Sequence, residues 1–306
     1  MTEYKNGALP SPPDERDWRV NRCMDLPAGN SLEETLPKSF SISWTPEHRN
    51  QEKTSSCTAF ALAGIFSCIW HQLFGEDIDF STGYLYGNRL ETLYTDKGQF
   101  MRAAIKGASI HGDVKACIWD NNLEVPDAIK VFTEAYPKLK DYAHKLMPGY
   151  VRIRTEREAK AYLYKYDLPL FISVPMNKIN PLSLSDGLHA MMCTGWKHNT
   201  ITKKFICLNS WGTKHAWPEI EFDDFEEVWG VIPMAKKTFT DVTDTRWSAD
   251  AIQLAADDGI IAGYPDGSFD PEGTLTREQI AVIWLRMKRY CDEHYELKPE
   301  REGTDT

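Results

Sequence analysis

The 306-residue chain has no CxxC pair, no basic cluster, no apolar N-terminal segment and no repeated unit. Its cysteines (Cys23, Cys57, Cys68, Cys117, Cys193, Cys207 and Cys291) are odd in number and scattered. That excludes a disulfide framework and fits synthesis where thiols stay reduced. Cys57 and Cys68 share one predicted helix but would lie about 16 Å apart along its axis, too far to bridge. Asp and Glu total 45 against 35 Lys and Arg, so the net charge is -10. This argues against a nucleic-acid binder, whose footprint is a basic stripe. The opening Met1–Gly7 has no apolar core, so no secretory signal is visible. Residues 57–74, CTAFALAGIFSCIWHQLF, carry no formal charge. Their length allows a membrane span, but Thr58, Ser67, His71 and Gln72 predict a buried central helix instead.

Periodicity divides the rest. Residues 1–35 are rich in Pro, Asn and Asp and read as an extended leader or strap. Helices are predicted at 57–74, near 100–110, near 126–135, and from the capping box Thr155–Glu158 to about Tyr166. Strands follow: LPLFISVPM, LHAMMCTGW, KKFICLNSW and EEVWGVIPM. Helices first and antiparallel strands later make an α+β domain over 36–235. Residues 239–290 form a separate helix–loop–helix unit. Its first helix runs from Trp247–Ser248 to Asp258, and Thr276–Gln279 is a second capping box. The charged tail after about 293 reads as disordered.

Four residues carry acyl-transfer chemistry. Cys57 is a nucleophile, His189 a base, Asn209 a group that orients the imidazole, and Gln51 an amide donor for an oxyanion. Thr54, Ser55 and Ser56 are capping types, which places Cys57 at the positive end of a helix dipole. With an imidazolium at His189, this predicts a lowered thiol pKa. His189 and Asn209 fall on adjacent strands of a predicted hairpin, and Trp211 would shield their bond from water. His189 and Cys193 share a strand face but lack further ligands spaced for zinc, so no metal and no cofactor is expected. Cys68, Cys117, Cys193 and Cys207 read as core. His71, His111, His144, His198 and His215 read as surface residues without partners.

These segments resemble the papain-like cysteine peptidases. NQEKTSSCTAFALAGIF is similar to their Gln loop and nucleophile helix, DGLHAMMCTGW to their His strand, and LNSWGT to their Asn-Ser-Trp-Gly segment. FSTGYLYGNRL and DKGQFMRAAIKGASIHG resemble the stretches that follow the nucleophile helix. The resemblance covers about 36–234 and implies a two-lobed fold and a Cys57–His189–Asn209 triad assisted by Gln51. Gly98 and Trp211 become the substrate-binding residues. The family's Cys-Gly-Ser-Cys-Trp is here Thr54-Ser55-Ser56-Cys57-Thr58, so the first cysteine of the pattern is missing. The stretch after LNSWGT also departs, as KHAWPEIEF.

The C-terminal unit resembles an S-layer homology module through FTDV (239–242), Trp247, Ala251, Ile252, Ala255, Gly259, GYPDGSF (263–269) and LTRE (275–278). This implies binding to a secondary cell-wall polysaccharide, with Arg277 as the contact for an acidic sugar. Such modules act in threes, so one copy implies a homotrimer, weak binding alone, or a vestigial module. A calcium loop at 266–277 fails, because Pro271 and Arg277 stand where Gly and Glu are required.

The resulting expectation is a cysteine endopeptidase acting on a peptide or protein substrate and tethered to a Gram-positive cell wall. A non-catalytic or virion-associated wall-binding protein, using the same fold as scaffold, stays open. A wall module on a chain of seven thiols without a visible signal fits a protein released by lysis, as a phage component is.

Overall fold

The computed structural model describes residues 7–12, 14, 17, 36–88, 98–119, 138–147, 149–179, 187–198, 203–213, 216–232, 239–243, 246–257, 260–264 and 268–294. The expected helix at 126–135 and the tail after 294 lie outside them. The chain divides into two compact units, Met1–Met234 and Ala235–Thr306.

In the first unit, α1 (Cys57–Phe74) spans the whole predicted apolar run, and Gly75 in a left-handed conformation ends it. The helix is apolar nearly all round and buried over its first 14 residues, as a central helix must be. It lies against α2 (Thr82–Gly87) and, on another side, against the sheet. A third helix, α3 (Met101–His111), completes the helical side, buried through Met101, Ala104, Ile105 and Ala108. Cys117, expected in the core, is instead exposed, because it sits in a turn after Val114 where the chain leaves the packed surface.

The strands beyond are β4 (Gly149–Arg152), β5 (Leu170–Pro175), β6 (Leu188–His198), β7 (Lys203–Leu208), β8 (Glu219–Ile220) and β9 (Glu227–Ile232). All pair antiparallel, with β6 central between β5 and β7 and β9 between β5 and β4. β5 and β9 read as continuous apolar runs because both their faces are covered. Between β4 and β5 runs α4 (Glu156–Tyr166), opened by the predicted capping box: Thr155 accepts from the Glu158 N–H at 3.1 Å, and Glu158 accepts from the Thr155 N–H. The helix anchors to β9 where Tyr162 Oη donates to the Val231 carbonyl at 2.9 Å, and a single turn, α5 (Met176–Ile179), follows β5.

Three short strands join this sheet from earlier in the chain. β2 (Ser39–Ser41) pairs antiparallel with the far end of β6. β1 (Ala8–Leu9) runs parallel to β3 (Gln99–Phe100) and antiparallel to β6 at Leu188. The N-terminal segment is therefore built into the sheet beside the start of β6.

In the second unit, α6 (Ala249–Asp257) and α7 (Arg277–His294) flank the loop. The capping box at 276–279 forms as read: Gln279 N–H donates to Thr276 Oγ1 at 3.1 Å, and Thr276 N–H to Gln279 Oε1 at 2.8 Å. Asp241 pins the loop by accepting the N–H groups of Phe269 (2.8 Å) and Asp270 (2.7 Å), while Phe239 packs on Phe269.

Candidate active site

Cys57 is the first residue of α1 and is fully buried. The cap position before it is Ser56, but that side chain makes no capping bond. Its hydroxyl instead lies 2.6 Å from Thr54 Oγ1. The turn is held from within and leaves the first N–H groups of α1 for other partners.

Gln51 is also buried, and both ends of its amide are used. Its Nε2 donates to the Thr54 carbonyl at 2.8 Å, and its Oε1 accepts from Ser210 Oγ at 2.6 Å. The Gln51 N–H donates to the Ser210 carbonyl at 2.8 Å. Ser210 thus ties the Gln loop to the segment carrying Asn209. Sequence reasoning passed over Ser210, although it stands between two residues that were singled out.

His189, the second residue of β6, meets Asn209 Oδ1 through Nε2 at 2.7 Å. The same oxygen accepts the Ser210 N–H at 2.7 Å. An oxygen accepting twice fixes the amide orientation and assigns the His189 proton to Nε2. Nδ1 is then an unprotonated lone pair, and it is buried without a hydrogen-bond partner. The Trp211 ring lies 4.4 Å from the imidazole, between centroids, and covers it. On the other side, Cys57 Sγ accepts the N–H of Ala190, the residue after His189, at 3.4 Å.

Burial dominates the electrostatics. It pushes the Cys57 thiol up to about 11, against the opposing pull of the N–H groups of Ala190, Gly7, Thr58 and Cys57 itself. It lowers His189 to about 4, with the Asn209 bond acting the other way. Both shifts work against the expected thiolate–imidazolium pair in this covered state. Desolvation penalises both charges and outweighs the helix end.

The N-terminal segment contributes to that burial, since the Gly7 backbone reaches Cys57. Gly7 accepts the Gln99 N–H at 2.7 Å, and Ala8 stands opposite both Gln99 and Leu188. Gly98 has φ +87°, and a Cβ there would lie 2.1 Å from the Gly7 carbonyl oxygen. A Cβ on Gly7 would lie 1.8 Å from the Ser55 carbonyl oxygen. Only glycines allow so close a passage. Beyond it the segment is clamped by charge. Arg102 donates through Nε to Asp17 at 2.7 Å and through its guanidinium to the Pro12 carbonyl, while its N–H bonds Ser11 Oγ at 2.9 Å. Glu227 accepts the Ser11 N–H and pairs with Arg152 at 2.6 Å. A cavity of about 830 Å³ lies beside this clamp, away from Cys57. Sequence reasoning missed Arg102 and Glu227. The available signal was Glu227 itself, a carboxylate in an otherwise apolar strand.

Other residues fall as follows. His71, read as unpartnered, bonds Asp77 at 2.9 Å and stacks on Trp44, and His144 packs on Trp70. Among the described residues no group of three or more His, Cys, Asp or Glu is arranged to hold a metal ion. Arg277, the first residue of α7, is exposed.

Comparison with known proteins separates the two units. Xylellain, a cysteine protease from Xylella fastidiosa, superposes with a TM-score of 0.61 at 18% identity, covering 75% of this chain and 96% of that one. Procathepsin B S9 from Trypanosoma congolense superposes with a TM-score of 0.53 at 16% identity, covering 72% and 86%. Cell surface glycoprotein 1 of Acetivibrio thermocellus is 43% identical over 47 residues, which are 15% of this chain and 2% of that protein. Residues 238–281 match the S-layer homology domain family. The chain thus joins the two-lobed fold of papain-like cysteine proteases to one S-layer homology domain.

Proposed function

We propose that the protein is a cysteine endopeptidase using Cys57, His189 and Asn209, held in a self-covered state by its own N-terminal segment. The observation that carries this is the His189 Nε2–Asn209 contact at 2.7 Å, which leaves Nδ1 as the free base beside the nucleophile helix. In the reaction, Nδ1 takes the Cys57 proton as sulfur attacks a peptide carbonyl. The Cys57 N–H and the Gln51 side-chain amide receive the oxyanion. The protonated imidazole delivers its proton to the leaving amine, and a thioester remains. Water, deprotonated by His189, then releases the acid and restores the thiol. Gly98 offers its backbone to the substrate once Gly7 is displaced, and Trp211 keeps water from the His189–Asn209 bond.

The S-layer homology domain supplies attachment to a cell surface. Its ligand in this reading is a secondary cell-wall polysaccharide of a Gram-positive cell, with Arg277 pairing to an acidic sugar. Release on a virion would serve the same attachment. The apolar stripe of α7, through Ile280, Trp284 and Met287, fits assembly into a homotrimer.

Labelling with a peptidyl electrophile directed at thiols tests the catalytic part. Wild type should react slowly, Cys57→Ala not at all, and Asp17→Asn faster. Loss of one charge-assisted bond, worth ~1.5–3 kcal/mol, corresponds to about tenfold or more in uncovered population. If neither wild type nor Asp17→Asn reacts, the fold serves as a scaffold and the protein is a wall-binding one.

A further inference from the structure

β6 and β7, the strands that present His189 and Asn209, also place two cysteines opposite each other: Cys193 pairs with Cys207. The Cys207 N–H donates away from β6, to the Pro218 carbonyl at 3.0 Å. A residue's N–H and C=O leave a strand on the same side, so Cys193 and Cys207 are a non-hydrogen-bonded pair. In such pairs the Cα atoms stand about 4.5 Å apart and the side chains project together from one face. A disulfide spans Cα separations of about 4.4–6.8 Å, a range that includes the spacing of such pairs. The ladder shifts register just beyond, between Cys193 and Gly195, where a bulge bends the strand and increases its twist. The Cys193 thiol donates to the Gly195 carbonyl at 3.7 Å, and it lies near enough to Cys207 to help raise that thiol's pKa. Cys57 and Cys68 are too far apart along α1 to bridge, and Cys117 is exposed in a turn.

We propose that Cys193 and Cys207 form a cross-strand disulfide when the chain folds in an oxidising compartment, bracing the hairpin that carries His189 and Asn209. The two thiols give up two protons and two electrons as the S–S bond forms. A small-molecule disulfide, or the disulfide of a thiol oxidoreductase, accepts them and becomes two thiols. Both cysteines are fully buried. Exchange requires an accessible thiolate, so the bond forms while the hairpin is still open. Burial, together with the neighbouring Cys193, holds the Cys207 thiol well above its ordinary value. The folded hairpin therefore keeps whichever state it acquired: dithiol when folded under reduction, disulfide when folded outside it. The proposal does not depend on the peptidase reading, because its readout is covalent.

The test uses the full chain carrying Cys57→Ala, which removes the candidate nucleophile from the chemistry. It is unfolded and refolded once with oxidised and reduced glutathione and once with dithiothreitol. Each sample is then denatured, alkylated with iodoacetamide and weighed intact. The glutathione sample should carry two fewer alkyl groups, and a protease map should join the peptides of Cys193 and Cys207. Its thermal midpoint should lie several degrees above that of the dithiothreitol sample. With Cys193→Ala and Cys207→Ala added, the two buffers should give the same midpoint. Full alkylation in both buffers would overturn the proposal, as would a link joining other cysteines. A linked chain melting no higher than the dithiol chain would overturn the bracing. If the added variant fails to fold, the comparison of two buffers on one chain still decides.

Discussion

The two units treat their aromatic residues in opposite ways. In the first, Trp196, Trp229, Tyr162, Phe66 and Phe171 are wholly buried, and the polar atoms among them find partners inside, as Tyr162 Oη does at Val231 and Trp229 Nε1 at Glu227. In the second, Trp247, Trp284, Ile280, Leu285 and Met287 are exposed, and among its described residues the buried apolar side chains are Ile252 and Ala256. A chain can leave large apolar surface in water only at a cost, so exposed patches mark contacts made with something else. The first unit is complete as a packed object, and its reactive groups are covered by its own N-terminal segment. The second leaves an apolar face exposed, which in the proposed reading other copies or a ligand complete.

The comparison breaks first if Trp229 is not structural. Its ring lies fully buried in β9, with the Arg152 guanidinium 4.9 Å from the ring centre. Truncation also strands Glu227, which holds both Arg152 and the N-terminal segment. Trp229→Ala should cost about 3–5 kcal/mol, mostly as an unfilled cavity. At roughly 2–4 °C per kcal/mol for a domain of this size, calorimetry should find the first transition lowered by about 10 °C. A transition within a degree or two of wild type would remove the claim that this core is what completes the unit.

Acid should come next, through His189. Its folded pKa of about 4 lies below the ordinary value of 6.5. The unfolded or uncovered state therefore binds the proton more readily than the covered one. The covered state has this contribution in full above pH 6.5 and loses it as the pH falls from 6.5 to about 4. The shift corresponds to about 3 kcal/mol. Displacing residues 7–11 hydrates the imidazole at far smaller cost than global unfolding does, so acid should uncover Cys57 before it melts the unit. Hydrogen exchange at the Gln99 amide, which donates to Gly7, should accelerate between pH 6.5 and 4 while exchange in β5 stays slow. Parallel acceleration of both would show that the cover and the core open together.

Much of this was legible in the chain itself. The charge-free run at 57–74, the capping boxes at Thr155 and Thr276, and the four apolar strands each carry a local signal, and each element formed within about two residues of its reading, except that β7 ends at Leu208, before Asn209. His189 and Asn209 were legible because a hairpin converts sequence spacing into proximity. What was hidden depends on distant pairings. The N-terminal segment has no periodicity to announce β1, because its pairing is with Gln99 and Leu188, supplied from elsewhere in the chain. The raised Cys57 pKa followed in part from that, since a helix end favours the thiolate only where water or a counter-charge remains. Arg102 looked like a solvated helix residue until Asp17 came to it from the far N-terminus. The facing cysteines lie on the same hairpin as His189 and Asn209, but their exact register depends on the shift between Cys193 and Gly195, which spacing does not show.

The smallest stability effect should come from the second unit, and its smallness is the point. Trp284 is 57% exposed on α7, on the stripe it shares with Ile280 and Met287. Removing an exposed side chain usually changes monomer stability by less than about 0.5 kcal/mol. Trp284→Ala should therefore leave the melting of the isolated monomer nearly unchanged. If the stripe is the meeting face of several copies, the same change should lower the sedimentation coefficient of the full chain at high concentration to the monomer value. Arg277→Ala, at the exposed start of the same helix, should leave sedimentation as it is but weaken retention on purified wall polysaccharide, because its proposed partner is an acidic sugar. A wild-type chain that sediments as a monomer at every concentration would assign the stripe to the polymer instead. Trp284→Ala would then lose retention along with Arg277→Ala, and the second unit would be completed by carbohydrate rather than by its own copies.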